Sequence, residues 1–290
     1  MSLKNDPLSD FRSMMLMLAS VVLFAANTLL IKAVSLHAPI VDGWLVSLFR
    51  GVVGLMVVFA LHGWGRGLQP ERLFSSRLVA LRGIVGGLAI VLLYITVIKM
   101  GVARAIILNL TYPVFASLIA SIWLKEKLNR ASFFWMLVGL VGLAVFLSED
   151  GRLLHPSPYD LLALIGAVGA GWVVVIIRKL RHEEHPATIY ASQAFYSMAL
   201  ACPTVGKIQH LPPVAWVGLV AAAVVVTFAQ LVMTRSYQTM SVAKGSSVQM
   251  LLPIVVGIGG YFFFGERFHL LEIAGAILTL VATWRVIVAK

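Results

Sequence analysis

Ten long apolar stretches alternate with short polar connections along the whole chain. Each stretch is close to the roughly 20 residues that an α-helix needs to cross a bilayer. Strands of a membrane barrel would be about 10 residues long and would alternate apolar with polar positions. The pattern therefore predicts an all-α membrane protein with ten transmembrane helices. The predicted spans lie near residues 13–34, 40–62, 78–99, 103–124, 131–147, 159–177, 188–206, 214–234, 243–264 and 269–288.

The composition excludes the large soluble classes of protein. Apolar residues make up 60% of the chain and charged residues 12%, with a mean hydropathy of +0.94. Soluble domains average about 45–50% apolar and 25% charged residues. Ten spans also leave no room for a separate catalytic or nucleic-acid-binding domain. The lipid bilayer is therefore the predicted partner, and no cofactor is predicted.

The basic residues predict the orientation of the chain. With a cytoplasmic N-terminus and a change of side at each span, 16 of the 23 Lys and Arg residues fall on the inner side and six on the outer side. Because Lys and Arg favour the cytoplasmic side, both termini are predicted to be cytoplasmic. The inner set includes Arg82 and Arg178, and the outer set includes Lys207. The net charge of +11 is thus a topology signal that requires no nucleic acid.

The two halves of the chain repeat each other without a gap around their central prolines. MGVARAIILNLTYPVF (100–115) lies over MSVAKGSSVQMLLPIV (240–255) when the halves are aligned. The identical pairs are Met100 and Met240, Val102 and Val242, Ala103 and Ala243, Pro113 and Pro253, and Glu126 and Glu266. A mid-span proline and a span-end glutamate therefore recur at the same spacing.

This repeat predicts how the halves are related. Each half has five spans, an odd number, so the second half enters the membrane from the opposite side. The predicted architecture is two inverted five-helix repeats, 1–147 and 159–290, joined by a linker at 148–158. Inverted repeats are typical of secondary transporters.

The motifs of both halves resemble those of the drug/metabolite transporter superfamily, specifically its ten-span EamA-type members. In the first half, Pro113 is followed by LKEKL (124–128) and GLVGLAVFL (139–147). In the second half, Pro253 is followed by FFFGERF (262–268) and by a small-residue helix that begins near Gly275. The sequence departs from the pattern at Thr279, which takes the place of Gly139 in the second half. The resemblance implies an inner-membrane exporter of small metabolites such as amino acids, purines or drugs.

The two mid-span prolines mark a candidate substrate site. Pro113 and Pro253 are predicted to kink spans 4 and 9 and to free the carbonyl groups four residues earlier. Those carbonyls belong to Asn109 and Gln249, which also carry side-chain amides. Polar groups are costly against lipid, so they should face a cavity or another helix. They are predicted either to line a pseudo-symmetric substrate site or to satisfy their own helix or a neighbouring one.

Arg50 lies near the middle of span 2, where an arginine costs about 2.5–3.5 kcal/mol and needs a partner. Asp42 is the only acid in that helix, and eight residues place it about 12 Å away along the axis. Arg50 is therefore predicted either to bind backbone carbonyls or to bind the carboxylate of a substrate.

Aromatic and amide side chains elsewhere in the spans are further candidates for a substrate cavity. Trp172 is preferred, because the small residues of GAVGAGW before it leave room for a ring near the axis, and because helix 6 lines the cavity in similar transporters. Helix packing or the membrane interface is the alternative for each of them. The other candidates are Asn27, Tyr94, Tyr112, Gln193, Phe195, Tyr196, Gln230 and Tyr237.

The acidic residues argue against one known transport mechanism. Four-helix multidrug members of the superfamily use a glutamate embedded in their first helix, and span 1 here has no acid. Glu126 and Glu266 end their spans. They are predicted to cap helices or to pair with Lys127, Arg130 or Arg267, rather than to carry protons.

Two other motifs are given structural interpretations. HEEH (182–185) lacks the HExxH spacing of a metal site, so no metal is predicted. The glycines of GIVGG (83–87) and GLVG (139–142) lie within apolar spans and are predicted to be close-packing faces of helices.

The sequence therefore predicts a bacterial inner-membrane transporter, a monomer or weak dimer, that moves a small polar metabolite by alternating access. Amino acids are the favoured substrates and export the favoured direction, as the family resemblance implies. A second interpretation uses Arg50 to bind organic anions or nucleotide-like metabolites. A third, from a different class, is an intramembrane enzyme such as a lipid-modifying transferase.

Overall fold

The computed structural model describes residues 7–63, 65, 67–100, 102–127, 129–146, 157–181, 183–265 and 267–288. Its regular elements in those ranges are thirteen α-helices and one 3-10 helix, which confirms the all-α class. The elements are α1 (Pro7–His37), α2 (Gly43–His62), α3 (Arg72–Ser75), α4 (Arg77–Met100), α5 (Val102–Asn109), α6 (Tyr112–Trp123), α7 (Arg130–Phe146), α8 (Pro158–Leu180), α9 (Pro186–Ala201), the 3-10 helix (Cys202–His210), α10 (Pro213–Ser236), α11 (Val242–Gln249), α12 (Leu252–Phe264) and α13 (Leu270–Val288).

Within the described ranges, six helical stretches are long and apolar enough to cross a membrane. Helices α6 and α7 are apolar but shorter. The six stretches are Phe11–His37, Gly43–His62, Pro158–Leu180, Pro213–Ser236, Val242–Phe264 and Leu270–Val288.

Predicted spans 4 and 9 each consist of two helices that meet at a two-residue turn, in which Thr111, Met250 and Leu251 keep right-handed helical backbone angles. The first helix of each pair ends at Asn109 or Gln249, and the second begins three residues later. Pro113 and Pro253 are therefore the second residues of new helices, where the missing N–H group of proline costs nothing. At each predicted kink, the structure has a short 3-10 turn just before the proline, which lies in the first turn of the second helix.

The two interruptions share the same hydrogen bonds. Thr111 N–H donates to the carbonyl of Leu108 at 3.2 Å, and Leu251 N–H donates to the carbonyl of Val248 at 3.1 Å. Both bonds span three residues, as in a 3-10 turn, and they occupy equivalent positions of the two repeats. The repeat in the sequence is therefore also a repeat of local structure.

The two interruptions lie against each other inside the protein. Leu110 and Met250, one from each interruption, pack in a single buried cluster with Leu143 of α7. The methyl group of Met250 also lies beside Gly139, where a Cβ atom would be 3.1 Å from it. The broken backbone is therefore shielded from lipid, as a bilayer requires.

Glycines allow α7 and α13 to pack at backbone contact. A Cβ atom on Gly275 would meet the backbone nitrogen of Phe146 and would lie 2.6 Å from the carbonyl oxygen of Gly142. Oγ1 of Thr279 lies 3.0 Å from the carbonyl oxygen of Gly275 in its own helix and 3.3 Å from that of Gly139 in α7, so the two carbonyls share its one proton. The predicted close-packing role of GLVG is confirmed, and the departure at Thr279 supplies an interhelical hydrogen bond.

The largest buried cluster follows α8, from Val173 to Ile177. Met17 of α1, Val79 of α4 and Val248 of α11 pack in the same cluster. Helix α8 is therefore surrounded by helices of both halves of the chain.

We expect Gly275→Ala to destabilise the protein by about 1–3 kcal/mol, because the new Cβ atom would overlap backbone atoms that cannot rotate away. Thermal unfolding in detergent measures this as a lower midpoint. Gly169→Ala in α8 is the matched control, since its Cβ atom would lie at an ordinary 3.6 Å from Ala89 and Val85. Equal midpoints for the two variants would contradict backbone contact between α7 and α13.

Candidate functional site

Helices α2, α4, α9 and α10 form a group in which glycines permit close approach. Gly51 and Gly54 of α2 lie against α9, and Gly83 of α4 lies 2.7 Å, measured from its Cβ position, from the carbonyl oxygen of Ser192 in α9. The predicted packing role of GIVGG is thereby confirmed. Polar side chains of these four helices are brought together where the helices approach.

Arg82 is the most unusual residue of this group. It lies in the second turn of α4 and is 1% exposed. Its Nη2 atom donates to Oε1 of Gln193 at 2.8 Å. Its Nε and Nη1 atoms have no hydrogen-bond partner within the described part of the chain. One side-chain amide therefore binds this buried guanidinium, and its other donors have no partner among the described residues.

Gly86 gives the Arg82 side chain its room. It lies one turn after Arg82 on α4, and a Cβ atom there would be 2.6 Å from Nη1 and 3.4 Å from Nε2 of Gln193. Gln193 accepts the arginine's bond through its carbonyl, which leaves its NH₂ group as a further donor at the same place.

Arg50 adds a second positive charge. It is half-buried on α2 and lies within electrostatic range of Arg82. Asp42, the acid of the same helix, accepts a bond from the N–H of Leu45 at 2.9 Å and forms an ion pair with Lys207. The carboxylate of Asp42 is thus used at the helix start, which agrees with its distance of about 12 Å from Arg50 along the axis.

The sequences of α2, α4, α9 and α10 contain no Asp or Glu. The ion pairs found among the described residues also leave Arg50 and Arg82 out. Two arginines therefore share this region without a carboxylate from these helices. A buried charge that lacks an opposite charge is costly, and within a membrane protein it indicates a functional site.

Hydroxyl and amide groups complete the region. Tyr190 Oη lies 3.0 Å from Oγ1 of Thr227, which itself donates to the carbonyl of Ala223 at 2.7 Å. Since the Thr227 proton is used, the Tyr190 hydroxyl must be the donor between them. Oε1 of Gln230, one turn after Thr227 on α10, and Oγ of Ser197, two turns after Tyr190 on α9, are buried and have no partner among the described residues.

The amides beside the two helix interruptions behave differently from each other. Gln249 is buried, and its Nε2 atom donates to Oγ of Ser20 at 3.0 Å and to Sδ of Met17 at 3.2 Å. The Gln249 side chain therefore hydrogen-bonds to residues of the neighbouring helix α1, which was one of its two predicted roles. Asn109 is half-buried, and no hydrogen bond of its side chain is found in the described ranges.

Glu126 joins the two halves of the chain at one end of the bundle. Its Oε1 atom accepts a bond from Nε of Arg178 at 3.0 Å, and its Oε2 atom accepts one from the N–H of Val242, at the start of α11, at 3.1 Å. Nη1 of Arg178 also donates to the carbonyls of Tyr237 and Gln238 at 2.7 and 3.0 Å. Glu126 therefore caps a helix and pairs with an arginine, although its partner is Arg178 and not Lys127 or Arg130.

Trp172 lies away from this polar region. It is 36% exposed and shares one face of α8 with the exposed side chains of Leu161, Ile165 and Val168. Its ring stacks on Trp123 at 5.5 Å between centroids. The small residues before Trp172 bring α8 close to α6 at Gly171, so they do not make room for the tryptophan ring at the axis.

The remaining predicted residues are distributed over the bundle. Tyr196 Oη donates to the carbonyl of Leu73 at 3.3 Å, and Phe195 packs edge-on against Phe74. Tyr112 begins α6 and packs in the cluster around Leu110. Asn27 is half-buried on α1. The side chain of Tyr94 and the residues His182 and Glu266 lie outside the described part.

Arg82 was missed as a site residue, because the charge count assigned it to the cytoplasmic side. The predicted span 3 began at residue 78, so Arg82 already lay inside it. Its position among Gly83, Gly86 and Gly87 is the sequence signal that could have found it, because three glycines around one arginine leave space for the side chain within a packed bundle.

Comparison with known protein families finds a match in both halves of the chain. The model of the EamA-like transporter family matches residues 11–148 and again residues 157–288. One solved crystal structure aligns with a TM-score of 0.78 at 17% identity, covering 94% of this chain and 95% of its own length, which shows a shared fold.

Named relatives are transporters. The pseudopaline exporter CntI of Pseudomonas aeruginosa is 27% identical over 270 residues, covering 89% of this chain and 90% of that protein. The riboflavin transporter of Vibrio cholerae is 27% identical over 176 residues, covering 56% of this chain and 54% of its own. Mouse solute carrier family 35 member G1 is 28% identical over 177 residues, covering 56% and 46%.

Proposed function

Since the chain belongs to the EamA-like transporter family, we propose that it exports small polar metabolites across a bacterial inner membrane by alternating access. Membership makes it a multi-pass membrane protein that transports small molecules, and not an enzyme. The name of the pseudopaline exporter supports the direction of transport. Amino acids remain the substrates that the resemblance favours, and organic anions are the alternative that the two arginines favour.

The observation that carries this proposal is that the most extensive helix–helix contacts recur when the two halves are exchanged. Helix α1 packs along α10, and the exchanged pair, α8 with α4, also packs. The pairs α4–α9 and α6–α8 have their counterparts in α10–α2 and α12–α1. The pairs α2–α9 and α7–α13 exchange into themselves. A pseudo-twofold arrangement of this kind supports two equivalent halves that can rock against each other.

Contacts between loops support ten crossings with alternating sides. Glu184 lies 3.8 Å from Arg72, and Oγ1 of Thr188 donates to the carbonyl of Gly67 at 3.1 Å. All four residues belong to loops or helix starts assigned to the inner side. The pair of Asp42 and Lys207 joins two segments assigned to the outer side. Segments that the charge count places on one side therefore meet each other.

In the proposed alternating-access cycle, the Glu126–Arg178 network acts as a gate at the predicted inner end of the helix bundle. It ties the end of span 4 in the first half to α8, α10 and α11 in the second half. Movement of one half against the other at that end must break these bonds. The network therefore stabilises the state that is closed to the cytoplasm.

Cysteine labelling tests the orientation. In a Cys202→Ser background, we expect Gly206→Cys to react with a membrane-impermeant maleimide in intact cells, because residue 206 is exposed and lies on the predicted outer side. Glu183→Cys, also exposed but on the predicted inner side, should react only after permeabilisation. The reverse pattern would contradict the orientation.

Loss of the Glu126 charge tests the gate. We expect Glu126→Gln to weaken the closed state by about 1.5–3 kcal/mol, because two charge-assisted hydrogen bonds are lost or reduced. A reporter cysteine at the buried position Ser246, one turn after Val242, should then react faster with a maleimide added from the inner side. Glu272→Gln is the control, since Glu272 caps α13 outside the network. Equal rates in the Glu126 and Glu272 variants would refute the gate.

Counterflow in proteoliposomes tests transport itself. Liposomes that contain the purified chain should exchange at least one radiolabelled amino acid, purine or organic anion against an excess of the same unlabelled compound, with saturation and without an added energy source. Asn109→Ala should change the apparent affinity while the protein level stays the same, because its amide lies at one helix interruption. If no member of these three classes exchanges, the proposed function is wrong.

A further inference from the structure

Resting on the proposed function, we infer that the transported metabolite carries a net negative charge and that Arg82, with Gln193 and Arg50, binds its carboxylate or phosphate group. Arg82 does not belong to the sequence motifs by which the chain resembles the family. Carboxylate and phosphate share the chemistry that matters here, a planar or tetrahedral group of oxygen acceptors with negative charge.

Arg82 has hydrogen-bond donors that the described residues leave unused. Nε and Nη1 of Arg82 are buried and lack partners among the described residues, and Nη2 is bonded to Gln193. A guanidinium binds an oxyanion through two parallel hydrogen bonds, from Nη2 together with either Nε or Nη1, and Nη2 of Arg82 keeps a second N–H group beside its bond to Gln193. The NH₂ group of Gln193 adds a neutral donor next to that fork. The arrangement therefore offers several donors to one ligand group.

The region around Arg82 is positively charged. The charge of Arg50 acts on Arg82, whose helix α4 contacts α2, and the four surrounding helices supply no carboxylate. An oxyanion in this region would offset both charges, whereas a neutral ligand would leave them unopposed. Since the effective dielectric constant is low inside a protein, the attraction is stronger there than in water.

The positive charge of this region distinguishes net anions from zwitterions as ligands. An amino acid carries an ammonium group close to its carboxylate, and a carboxylate of the protein would be the strongest partner for that group. The sequences of α2, α4, α9 and α10 offer none, and two guanidinium groups would repel it. The site therefore favours organic anions over the amino acids that the family resemblance suggests.

The location of Arg82 would let a bound ligand contact both halves of the chain. Arg82 lies where both halves of the chain meet, with α2 and α4 from the first half and α9 and α10 from the second. Its partner Gln193 belongs to the opposite half. A ligand held by Arg82, Arg50 and Gln193 would bridge the halves, so its binding can be coupled to their relative movement.

Binding to the purified full-length chain tests this inference. The probes are citrate, glucose 6-phosphate and leucine, and the measurements are ligand-induced thermal stabilisation and counterflow in proteoliposomes. We expect citrate, glucose 6-phosphate or both to bind and exchange, and leucine to do neither. Binding of citrate alone would identify the ligand group as a carboxylate, and binding of glucose 6-phosphate alone would identify a phosphate.

Variants distinguish a binding residue from a structural one. Arg82→Gln should weaken anion binding at least about tenfold, since it removes charge-assisted hydrogen bonds, and Arg82→Lys should restore part of it. Arg77→Gln is the matched control, because Arg77 is exposed and lies five residues earlier on the same helix. If Arg82→Gln does not fold, Arg50→Gln replaces it, since Arg50 is only half-buried.

Two results would overturn the inference and leave the proposed function standing. One is saturable exchange of leucine or another zwitterion without exchange of either anion. The other is anion affinity in Arg82→Gln and Arg50→Gln equal to that of the Arg77→Gln control. Absence of exchange for every amino acid, purine and organic anion would instead overturn the proposed function itself.

Discussion

A bilayer offers no hydrogen bonds to the backbone, and this constraint decides where the chain can interrupt its helices. An unpaired backbone N–H or carbonyl group in contact with lipid costs several kcal/mol. The interruptions after Asn109 and Gln249 are therefore placed against each other, with Leu110 and Met250 in one buried cluster. Glycines on α7 let the second interruption pack closely, and the pairing of α7 with α13 follows from the same small residues.

The scaffold and the chemistry of this protein differ in their symmetry. The helix pairs and both interruptions recur when the halves are exchanged. The polar residues do not, because Arg50 of α2 has no Arg or Lys counterpart in α9, and the basic residue of α10, Arg235, lies in its last turn, whereas Arg82 lies in the second turn of α4. In the proposed alternating-access cycle, a symmetric scaffold would provide two equivalent closed arrangements, one for each side of the membrane. The asymmetric polar residues would then form the single ligand site that we infer between the halves.

The sequence predicted the features that depend on the length and repetition of its apolar stretches. The all-α class follows from the length of the apolar stretches, and the family was identified from the resemblance of the repeated motifs. It did not predict where helices end relative to Pro113, because a proline fits equally well in a kink and at a helix start. It also misplaced Arg82, because a count of charges near the span ends does not distinguish a loop from the second turn of a buried helix. The partner of Glu126 and the outward face of Trp172 depend on contacts between distant segments, which no local pattern encodes.

The most direct measurement of the central claim is an experimental structure of the full-length chain with citrate or glucose 6-phosphate bound. The account predicts ligand oxygen atoms about 3 Å from the guanidinium of Arg82, with Gln193 as a further contact. It also predicts that Arg50 faces the same ligand. A ligand bound elsewhere, with Nε and Nη1 of Arg82 bonded to backbone carbonyls of the protein, would contradict the account.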